Sequence, residues 1–395
     1  AAIWAEVLRV EKVGRQDNFF ELGGHSLLAV TVVERLRRAG LHTDVRALFT
    51  AGTIAELAAT LGEESREIVV PPNLIPTDAT EIRPEMLTLL SLDQPAIDRI
   101  VARVPGGAAN VQDIYPLAPL QEGILFHHLM RAEGDTYLLP NLFAFPSREA
   151  LERFTTTMQA LVDRHDILRT AVMWQGLEEP VQVVQRQVTL PLEEVSFEEG
   201  ERDDLAGGFK RRFDPRHNRI DVSQAPLLRG YVAEDVKEGR WLLLVLAHHL
   251  AIDHTTLEIL VAEADLIEAG RSEELAPVAP YRSFVAQARL GVSAEEHEAF
   301  FGKMLGDVDE PTAPYGLLDV QGDGNAIIDW RQAVEPSLAR GVRDEARRMG
   351  VSAASVMHLA WALVLARVSA RRDVVFGTVL FGRMQGGASA DRVVG

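Results

Sequence analysis

The chain has 395 residues and a formal charge of −18, from 40 basic and 58 acidic side chains, and this acidic balance disfavours binding to nucleic-acid phosphates. The length predicts two or three domains, and the content of 47% hydrophobic and 25% charged residues predicts globular structure rather than disorder. The absence of cysteine excludes disulfides, thiolate metal sites and a cysteine nucleophile, and no apolar run approaches the ~20 residues of a membrane helix.

Residues 1–65 are predicted to form a small four-helix bundle. Apolar residues recur at helical spacing near the start of the chain, a glycine-containing loop follows, and Ser26 opens a second helix. A single short turn is predicted over 45–49. Thr53 is a predicted N-cap for a last helix over 54–61.

Residues 66–111 are predicted to be a linker. Four prolines interrupt regular structure there: Pro71, Pro72, Pro76 and Pro84. Residues 87–104 are predicted to hold one or two short helices. A proline-rich linker is semi-rigid, so it would limit the reach of the preceding bundle.

From residue 111 onward the pattern predicts mixed α/β structure. Helices are predicted to begin at Pro119 and to cover 150–165, 255–269, 293–305, 337–349 and 352–368. Strands are predicted over 170–174, 181–188, 241–247 and 373–381. Pro277 and Pro280 indicate a hinge between two lobes.

The run over 17–27, Asp-Asn-Phe-Phe-Glu-Leu-Gly-Gly-His-Ser-Leu, places Ser26 at a helix N-terminus after a Gly-Gly turn. Free backbone N–H groups there favour a phosphate, although serine in that position is commonly only an N-cap. The full run resembles the motif of the peptidyl carrier proteins of nonribosomal peptide synthetases. The resemblance implies that a transferase attaches 4'-phosphopantetheine to Ser26, and Phe19, Phe20 and Leu22 are predicted to be core residues that support the loop.

The run over 248–254, His-His-Leu-Ala-Ile-Asp-His, follows a predicted buried strand. A histidine at a strand end can offer a ring nitrogen to a substrate, and adjacent side chains alternate faces, so only one of the pair readily faces a given cavity. Zinc is disfavoured, because adjacent histidines in a strand seldom converge and no third ligand is evident. The residues alone leave a purely structural cluster as the other interpretation.

His248, His249 and Asp253 match His-His-x-x-x-Asp, which resembles the signature of the condensation-domain superfamily, itself similar to chloramphenicol acetyltransferase. Further blocks resemble the family in order within residues 112–395: Tyr115–Gly123, Arg164–Thr170, Asp214–Arg216, Ala225–Leu227, Tyr281–Phe284 and Phe376–Arg383. The resemblance implies a V of two acetyltransferase-like lobes with a tunnel at their junction. We expect the N-terminal lobe over 112–278 and a C-terminal lobe over 279–395 that is incomplete.

The resemblance also implies a reaction in which an acceptor amine attacks a donor thioester and gives an amide. His249 takes the catalytic position, either as a base or by orienting the amine. His248 and Asp253 complete the motif in structural roles. Asp253 is expected to pair with Arg164 or Arg169. The supporting arginines are Arg164, Arg169 and Arg383. His254 stands where the family usually has glycine, which would narrow the tunnel or add a polar contact.

The first block, with its Pro-Leu-Ala-Pro-Leu-Gln-Glu-Gly run, resembles that of domains whose donor ends in a D-residue. His127 and His128 begin a run over 127–135 that resembles the extra motif of dual epimerisation/condensation domains. Epimerisation needs a base and an acid at the donor's α-carbon. The bland alternative is that His128 packs with Ile124 on an apolar helix face, so simple D-donor condensation and dual function both stay open.

Because the carrier precedes the condensation domain, Ser26 should present the donor. The implied partners are an upstream adenylation domain, downstream acceptor carrier and adenylation domains, and a phosphopantetheinyl transferase, with no nucleic acid and no membrane. The chain begins without a signal peptide, and we expect a cytoplasmic, bacterial protein of secondary-metabolite biosynthesis. A stand-alone epimerase and a non-catalytic partner-recruiting domain are the rival interpretations; the donor-type first block and the intact histidine motif argue against them.

Overall fold

The computed structural model describes residues 1–24, 26–41, 43, 47–48, 51–60, 68–318, 328, 330–349, 351–378 and 392–395. The chain divides into two compact units, Ala1–Glu67 with Val292–Met384 and Ile68–Gly291 with Gln385–Gly395. Among the described residues, none of the helices combines the length and apolarity needed to span a lipid bilayer.

The described helices are α1 (Ala2–Leu8), α2 (Ser26–Arg38), α3 (Ile54–Thr60), α4 (Gln94–Val101), α5 (Pro119–Met130), α6 (Arg148–Arg164), α7 (Glu199–Arg202), α8 (Leu205–Arg212), α9 (His254–Glu268), α10 (Tyr281–Leu290), α11 (Ala294–Leu305), α12 (Pro336–Arg348) and α13 (Ala353–Val368). The described strands are β1 (Val111–Pro116), β2 (Leu138–Phe145), β3 (Thr170–Met173), β4 (Val181–Gln185), β5 (Leu192–Glu194), β6 (Leu228–Asp235) and β7 (Arg240–His248). Short 3₁₀ turns lie at Pro84–Met86, Gly107–Asn110, Asp166–Arg169, Ser272–Glu274 and Pro314–Gly316.

The N-terminal part of the first unit is built around a small apolar core. The rings of Trp4 and Phe19 are buried and meet edge to face, with their centroids 5.1 Å apart. Phe20 and Leu22 are partly buried against the same core. These positions agree with the prediction that the aromatic run before the Gly-Gly turn supports that turn from below.

The predicted cap of the helix expected over 54–61 is confirmed. The Thr53 hydroxyl accepts the backbone N–H of Glu56 at 3.2 Å, and the Glu56 carboxylate accepts the backbone N–H of Thr53 at 3.0 Å. Of the turn predicted over 45–49, residues 47–48 are helical and the remainder lies outside the described residues.

Residues 292–384 of the first unit contain α11, α12 and α13, as predicted. Ser293 and Glu296 form the predicted capping box, since the Ser293 hydroxyl accepts the Glu296 N–H at 3.2 Å and the Glu296 carboxylate accepts the Ser293 N–H at 2.9 Å. Ser352 caps α13 by accepting the N–H of Ser355 at 3.0 Å.

The strand predicted over 373–381 is wrong for residues 373–378, which form no strand, while residues 379–381 lie outside the described part. A strand requires a hydrogen-bonded neighbour. All the described strands pair with one another in the second unit, so none is available to this segment.

The second unit contains two sheets. One has the order β1-β4-β3 and is antiparallel, and the other has the order β2-β7-β6-β5, in which only β5 and β6 are parallel. The apolar run 242–247 is buried because β7 lies between β2 and β6. The predicted strands at 170–174, 181–188 and 241–247 are present with slightly different ends.

The pairing of β2 with β7 brings two distant parts of the chain together. Leu138 at the start of β2 lies opposite His248 at the end of β7, and Leu139 lies opposite Ala247. The loop that precedes β2 therefore meets the loop that follows β7. This register places the run over 127–135 next to the double-histidine run.

Within the predicted linker over 66–111, the described residues 68–111 include a cluster that packs on the three-stranded sheet. Ile82, Ile97 and Ile100 are buried in one cluster with Ile114 of β1 and Val183 of β4. The segment therefore buries apolar surface within the second unit. Only one α-helix, α4, forms within 87–104.

The predicted hinge at 277–280 lies within the second unit. The Tyr281 N–H donates to buried Asp166 at 3.0 Å, and Val285 is completely buried in the main core. α10 is anchored in this way, and the compact unit that contains it runs to Gly291.

Candidate active site

His248 ends β7 and is completely buried. Its Nδ1 accepts the backbone N–H of Leu250 at 3.1 Å, so the ring proton of the neutral imidazole lies on Nε2. Nε2 then donates to the Asp135 carboxylate at 3.0 Å. Both ring nitrogens of His248 are occupied by internal hydrogen bonds, which suits a structural role.

His249 is half-buried, and its ring is held in one tautomer. Its Nδ1 lies 2.9 Å from the carbonyl oxygen of Ile252, which can only accept a hydrogen bond, so Nδ1 carries the proton. The neutral ring therefore has its lone pair on Nε2. The two adjacent imidazoles thus have different surroundings, as the alternation of side chains along a strand predicts.

Gln121 holds the loop after β7 from the opposite side. Its Nε2 donates to the carbonyl of Leu250 at 2.8 Å and to Gln182 Oε1 at 3.1 Å, and its Oε1 accepts the Ala118 N–H at 2.9 Å. This buried amide links the start of α5 to the histidine loop. Gln121 belongs to the first block over 115–123, but the sequence assigned it no role, because its partners lie far along the chain.

Asp135 joins the two histidine runs. His128 Nδ1 lies 2.5 Å from the same carboxylate oxygen that His248 contacts, and the other carboxylate oxygen accepts the Tyr137 N–H at 2.9 Å. The Tyr137 carbonyl in turn accepts the backbone N–H of His249 at 2.9 Å. His128 does lie on the buried face of α5, as Ile124 does, but it is hydrogen-bonded rather than packed only against apolar groups.

His128, Asp135 and His248 place ligand-type atoms within 4.8 Å of one another, so the structure supplies the third group that the sequence argument against zinc did not find. A metal on His248 Nε2 would move the ring proton to Nδ1. That proton would then face the N–H of Leu250, a second donor. The donor pattern therefore favours a hydrogen-bonded frame over a metal centre.

The electrostatics of this frame follow from burial and hydrogen bonding. Burial alone would raise the pKa of Asp135, but hydrogen bonds from His128 and His248 outweigh it and hold that pKa well below its ordinary value. Burial lowers the pKa of His248 below its ordinary value, and the bond to Asp135 offsets this only in part. At neutral pH the frame contains an ionised carboxylate and a neutral His248.

The lowered pKa of His248 predicts a pH effect on stability. Below about pH 6.5, His248 is protonated in the unfolded chain but stays neutral in the native protein. The contribution of His248 to the free energy of unfolding is therefore lost as pH falls, by at most about 1.4 kcal/mol per pH unit. His248→Gln cannot titrate but keeps a donor near Nε2. We expect the advantage of the wild type over His248→Gln in free energy of unfolding, measured with urea, to shrink between pH 7.5 and pH 5.5; a constant or growing advantage would contradict this assignment.

The loop before Asp135 is held by a third segment. Gly134 has φ +69°, and a side chain there would place Cβ 2.1 Å from the carbonyl oxygen of Arg216. The Asp135 N–H donates to the carbonyl of Pro215 at 2.7 Å, and Arg219 donates to the carbonyl of His128 at 2.6 Å. The Asp-Pro-Arg block found in the sequence thus supports the Gly-Asp pair directly.

The expected pairing of Asp253 with Arg164 or Arg169 is wrong. Arg164 pairs with Glu263 at 2.9 Å, about ten residues or ~15 Å farther along α9, and Arg169 donates to main-chain carbonyls and to a glutamine. The Asp253 carboxylate accepts the N–H of Thr256 at 2.6 Å and so caps α9. Arg383, the third expected support, lies outside the described residues.

The other two candidate histidines lie at the surface. His127 is exposed on α5, with its ring centroid 6.2 Å from that of Tyr137, whose centroid is 6.3 Å from that of His249. His254 begins α9 with its side chain 76% exposed and its Nε2 3.5 Å from Glu258. The Tyr137 ring therefore neighbours the rings of both His127 and His249, while His254 makes a surface contact within its own helix.

At the carrier motif, Ser26 is the first residue of α2. Gly23 has φ +95°, and a Cβ on Gly24 would lie 2.4 Å from the Phe19 ring, so both glycines are needed for the turn. His25 lies outside the described residues. A serine at the N-terminus of a 13-residue helix fits attachment of a phosphate-linked group, since N–H groups not used within the helix favour an anion there.

Comparison with known proteins covers both parts of the chain. Residues 111–395 match the family model described as the condensation domain, and residues 1–61 match the phosphopantetheine attachment site. The chain is 52% identical to malpinin synthetase and 48% identical to malpibaldin synthetase, both of Mortierella alpina, over all 395 of its residues. It spans only 5% and 7% of the length of these relatives. Since Mortierella is a fungus, they lend no support to the expected bacterial source.

The first condensation domain of the CDA synthetase is a solved structure similar to this chain. It has a TM-score of 0.50 and 19% sequence identity, with coverage of 72% of this chain and 68% of that chain. At this identity the likeness concerns the fold alone.

Proposed function

The chain belongs to the condensation-domain family of nonribosomal peptide synthetases and carries a phosphopantetheine attachment domain at its start, and from this premise we propose that it joins a donor held on Ser26 to the amine of an acceptor aminoacyl carrier. The 4'-phosphopantetheine group supplies the thiol that holds the donor as a thioester. The proposal includes the four-helix carrier over 1–65, the condensation lobes over 112–278 and 279–395, and the tunnel that the family resemblance implies.

One observation carries the proposal: His249 has its ring proton on Nδ1 and its lone pair on Nε2. Nε2 can hydrogen-bond the acceptor amine and accept its proton as the new C–N bond forms and the thioester C–S bond breaks. The proton then passes to the departing sulfur, so the reaction needs no further reactant. Thioesters are reactive toward neutral amines, so orientation of the amine supplies much of the rate.

We propose that the donor is D-configured at its C-terminal residue, on the strength of the first block over 115–123 and the run over 127–135. Dual epimerisation and condensation is the second candidate. It is favoured by His127, which shares the neighbour Tyr137 with His249 and could supply a second proton-transfer group. A non-catalytic recruiting role is less favoured, because the histidine loop is held by internal hydrogen bonds on both sides.

The partners in this proposal are those of a synthetase module. An upstream adenylation domain would provide the donor amino acid, a phosphopantetheinyl transferase would modify Ser26, and a downstream carrier with its own adenylation domain would present the acceptor. The small fraction of the malpinin and malpibaldin synthetases that this chain matches is compatible with such an arrangement.

The test uses the synthetase module that contains this chain, loaded at Ser26 with matched peptidyl arms ending in an L- or a D-residue. An aminoacyl acceptor carrier is added, and the amide product is followed by mass. We expect at least about tenfold faster amide formation from the D-ended arm, which corresponds to ~1.4 kcal/mol of discrimination. Ser26→Ala should abolish loading and therefore product.

Two outcomes would revise this proposal. Equal rates from both arms, with no deuterium taken up at the donor α-carbon in D₂O, would exclude D-donor selectivity and epimerisation alike. A D-configured, deuterated product from the L-ended arm would establish the dual function.

A further inference from the structure

We propose that His128 and Asp135 are positioning residues, which act through hydrogen bonds on the loop that carries His249, and that His128 does not itself transfer a proton to or from substrate. The inference rests on the proposed function, because the loop matters only if His249 acts on the acceptor amine. It assigns different roles to the two members of the His127-His128 pair.

His128 is buried and already hydrogen-bonded. The side chain is 6% exposed, and its Nδ1 is held by Asp135 at 2.5 Å. His249 is half-buried, and His127 is exposed. A group that exchanges protons with a substrate must come within hydrogen-bond reach of it. Of these three histidines, His128 is the least accessible.

Asp135 connects His128, His248 and the main chain of Tyr137. One carboxylate oxygen binds the rings of His128 and His248, and the other binds the backbone of Tyr137. The Tyr137 carbonyl then accepts the N–H of His249. Asp135 therefore holds the histidine loop in two ways, through the side chain of His248 and through the main chain of His249. A displacement of Asp135 would be transmitted to His249 by both routes.

The buried charge of Asp135 determines what position 128 must supply. A buried carboxylate is tolerated only when donors satisfy its lone pairs, and removal of one donor leaves a charge that is costly in the interior. Asp135 is 2% exposed, and its described donors are the two imidazoles and one backbone N–H. The requirement at position 128 is therefore an N–H donor, and an imidazole is not needed as such.

This requirement leads to a test with graded variants. His128→Asn keeps an amide N–H close to the position of Nδ1 but cannot act as an acid or base, whereas His128→Leu removes the donor. Asp135→Asn keeps the volume, but either orientation of its amide directs the NH₂ group at a donor, the two rings on one side or the Tyr137 N–H on the other. His297→Asn is the matched control, since His297 is an exposed histidine on α11, far along the chain from this loop.

The quantities to measure are kcat and KM for amide formation, deuterium uptake at the donor α-carbon, and the ¹⁵N shifts of the His249 ring. His128→Asn and His297→Asn should stay within about threefold of wild type, whereas His128→Leu and Asp135→Asn should lose about 10- to 100-fold in kcat with little change in KM, as expected for a misplaced catalytic group. The Nδ1–H tautomer of His249 should persist in His128→Asn and be lost in His128→Leu.

Three results would overturn the inference. One is a His128→Asn protein as inactive as His128→Leu with the His249 tautomer intact, which would show that the imidazole itself is required. Another is selective loss of deuterium uptake in His128→Asn, and the third is an unchanged His249 tautomer in His128→Leu. Absence of amide from the wild type would instead contradict the proposed function, and the ¹⁵N comparison would still decide the positioning role.

Discussion

His249→Ala is expected to lower the rate of amide formation by roughly 10²- to 10⁴-fold, the range typical of losing a positioned proton-transfer group. The substitution removes the Nε2 lone pair and the bond from Nδ1 to Ile252, while the carrier is unaffected. Loading of Ser26 should therefore equal that of the wild type. Product is quantified by mass under single-turnover conditions, so that slow release does not mask the chemical step.

Two further variants sharpen this result. His249→Gln offers an amide that can orient the amine but cannot accept its proton, so partial activity would favour orientation and near-complete loss would favour proton transfer. His297→Ala is the surface control, because His297 is an exposed histidine on α11. Wild-type turnover by His249→Ala would remove the basis for placing the reaction at this loop.

Arg282→Met is expected to destabilise the second unit by about 3–5 kcal/mol, the cost of breaking a buried ion pair from one side. The guanidinium of Arg282 binds both oxygens of Asp113 at 2.9 and 3.0 Å, the carbonyls of Pro71 and Pro72, and the Thr88 hydroxyl. It thus ties α10 to β1 and to the segment before β1. The loss is measured as the free energy of unfolding in urea.

The effect of Arg282→Met should depend on pH in a defined direction. Burial raises the pKa of Asp113 to about 6, although Arg282 lowers it in part. A raised native pKa means that stability is lost as pH rises through it, and removing Arg282 extends that loss to higher pH. The destabilisation should therefore be larger at pH 8 than at pH 5. Arg271→Met, which breaks an exposed pair with Glu274, should cause no measurable change at either pH; equal losses in the two variants would contradict the buried-pair argument.

Sequence predicted well the features that depend on near neighbours in the chain. The caps at Thr53, Ser293 and Ser352 follow from a side chain and an N–H three residues away, and all three are present. The apolar run at 241–247 is long enough to indicate a buried strand without knowledge of its partners. The family blocks then led from local pattern to the two motifs.

Contacts between distant segments account for the predictions that differ from the structure. The prolines at 71–84 indicated a linker, but they did not reveal that Ile82 and Ile97 would pack on a sheet formed later in the chain. The strands β1, β2, β5 and β6 were missed, because whether a short segment becomes a strand depends on the partner it pairs with. Asp253 was expected to bind Arg164 or Arg169, but these two arginines contact other groups.

By itself, the amino-acid sequence determined that Ser26 opens a helix after a Gly-Gly turn and that His248 and His249 lie where a buried strand ends, since hydrogen bonds and apolar periodicity within a few residues decide both. Only the tertiary structure decided that Asp135 contacts His248, 113 positions away, and that His249 keeps its lone pair on Nε2. The physical reason is that the register of β2 on β7 and the course of the loop after it set these contacts, and neither is encoded in any short stretch of residues.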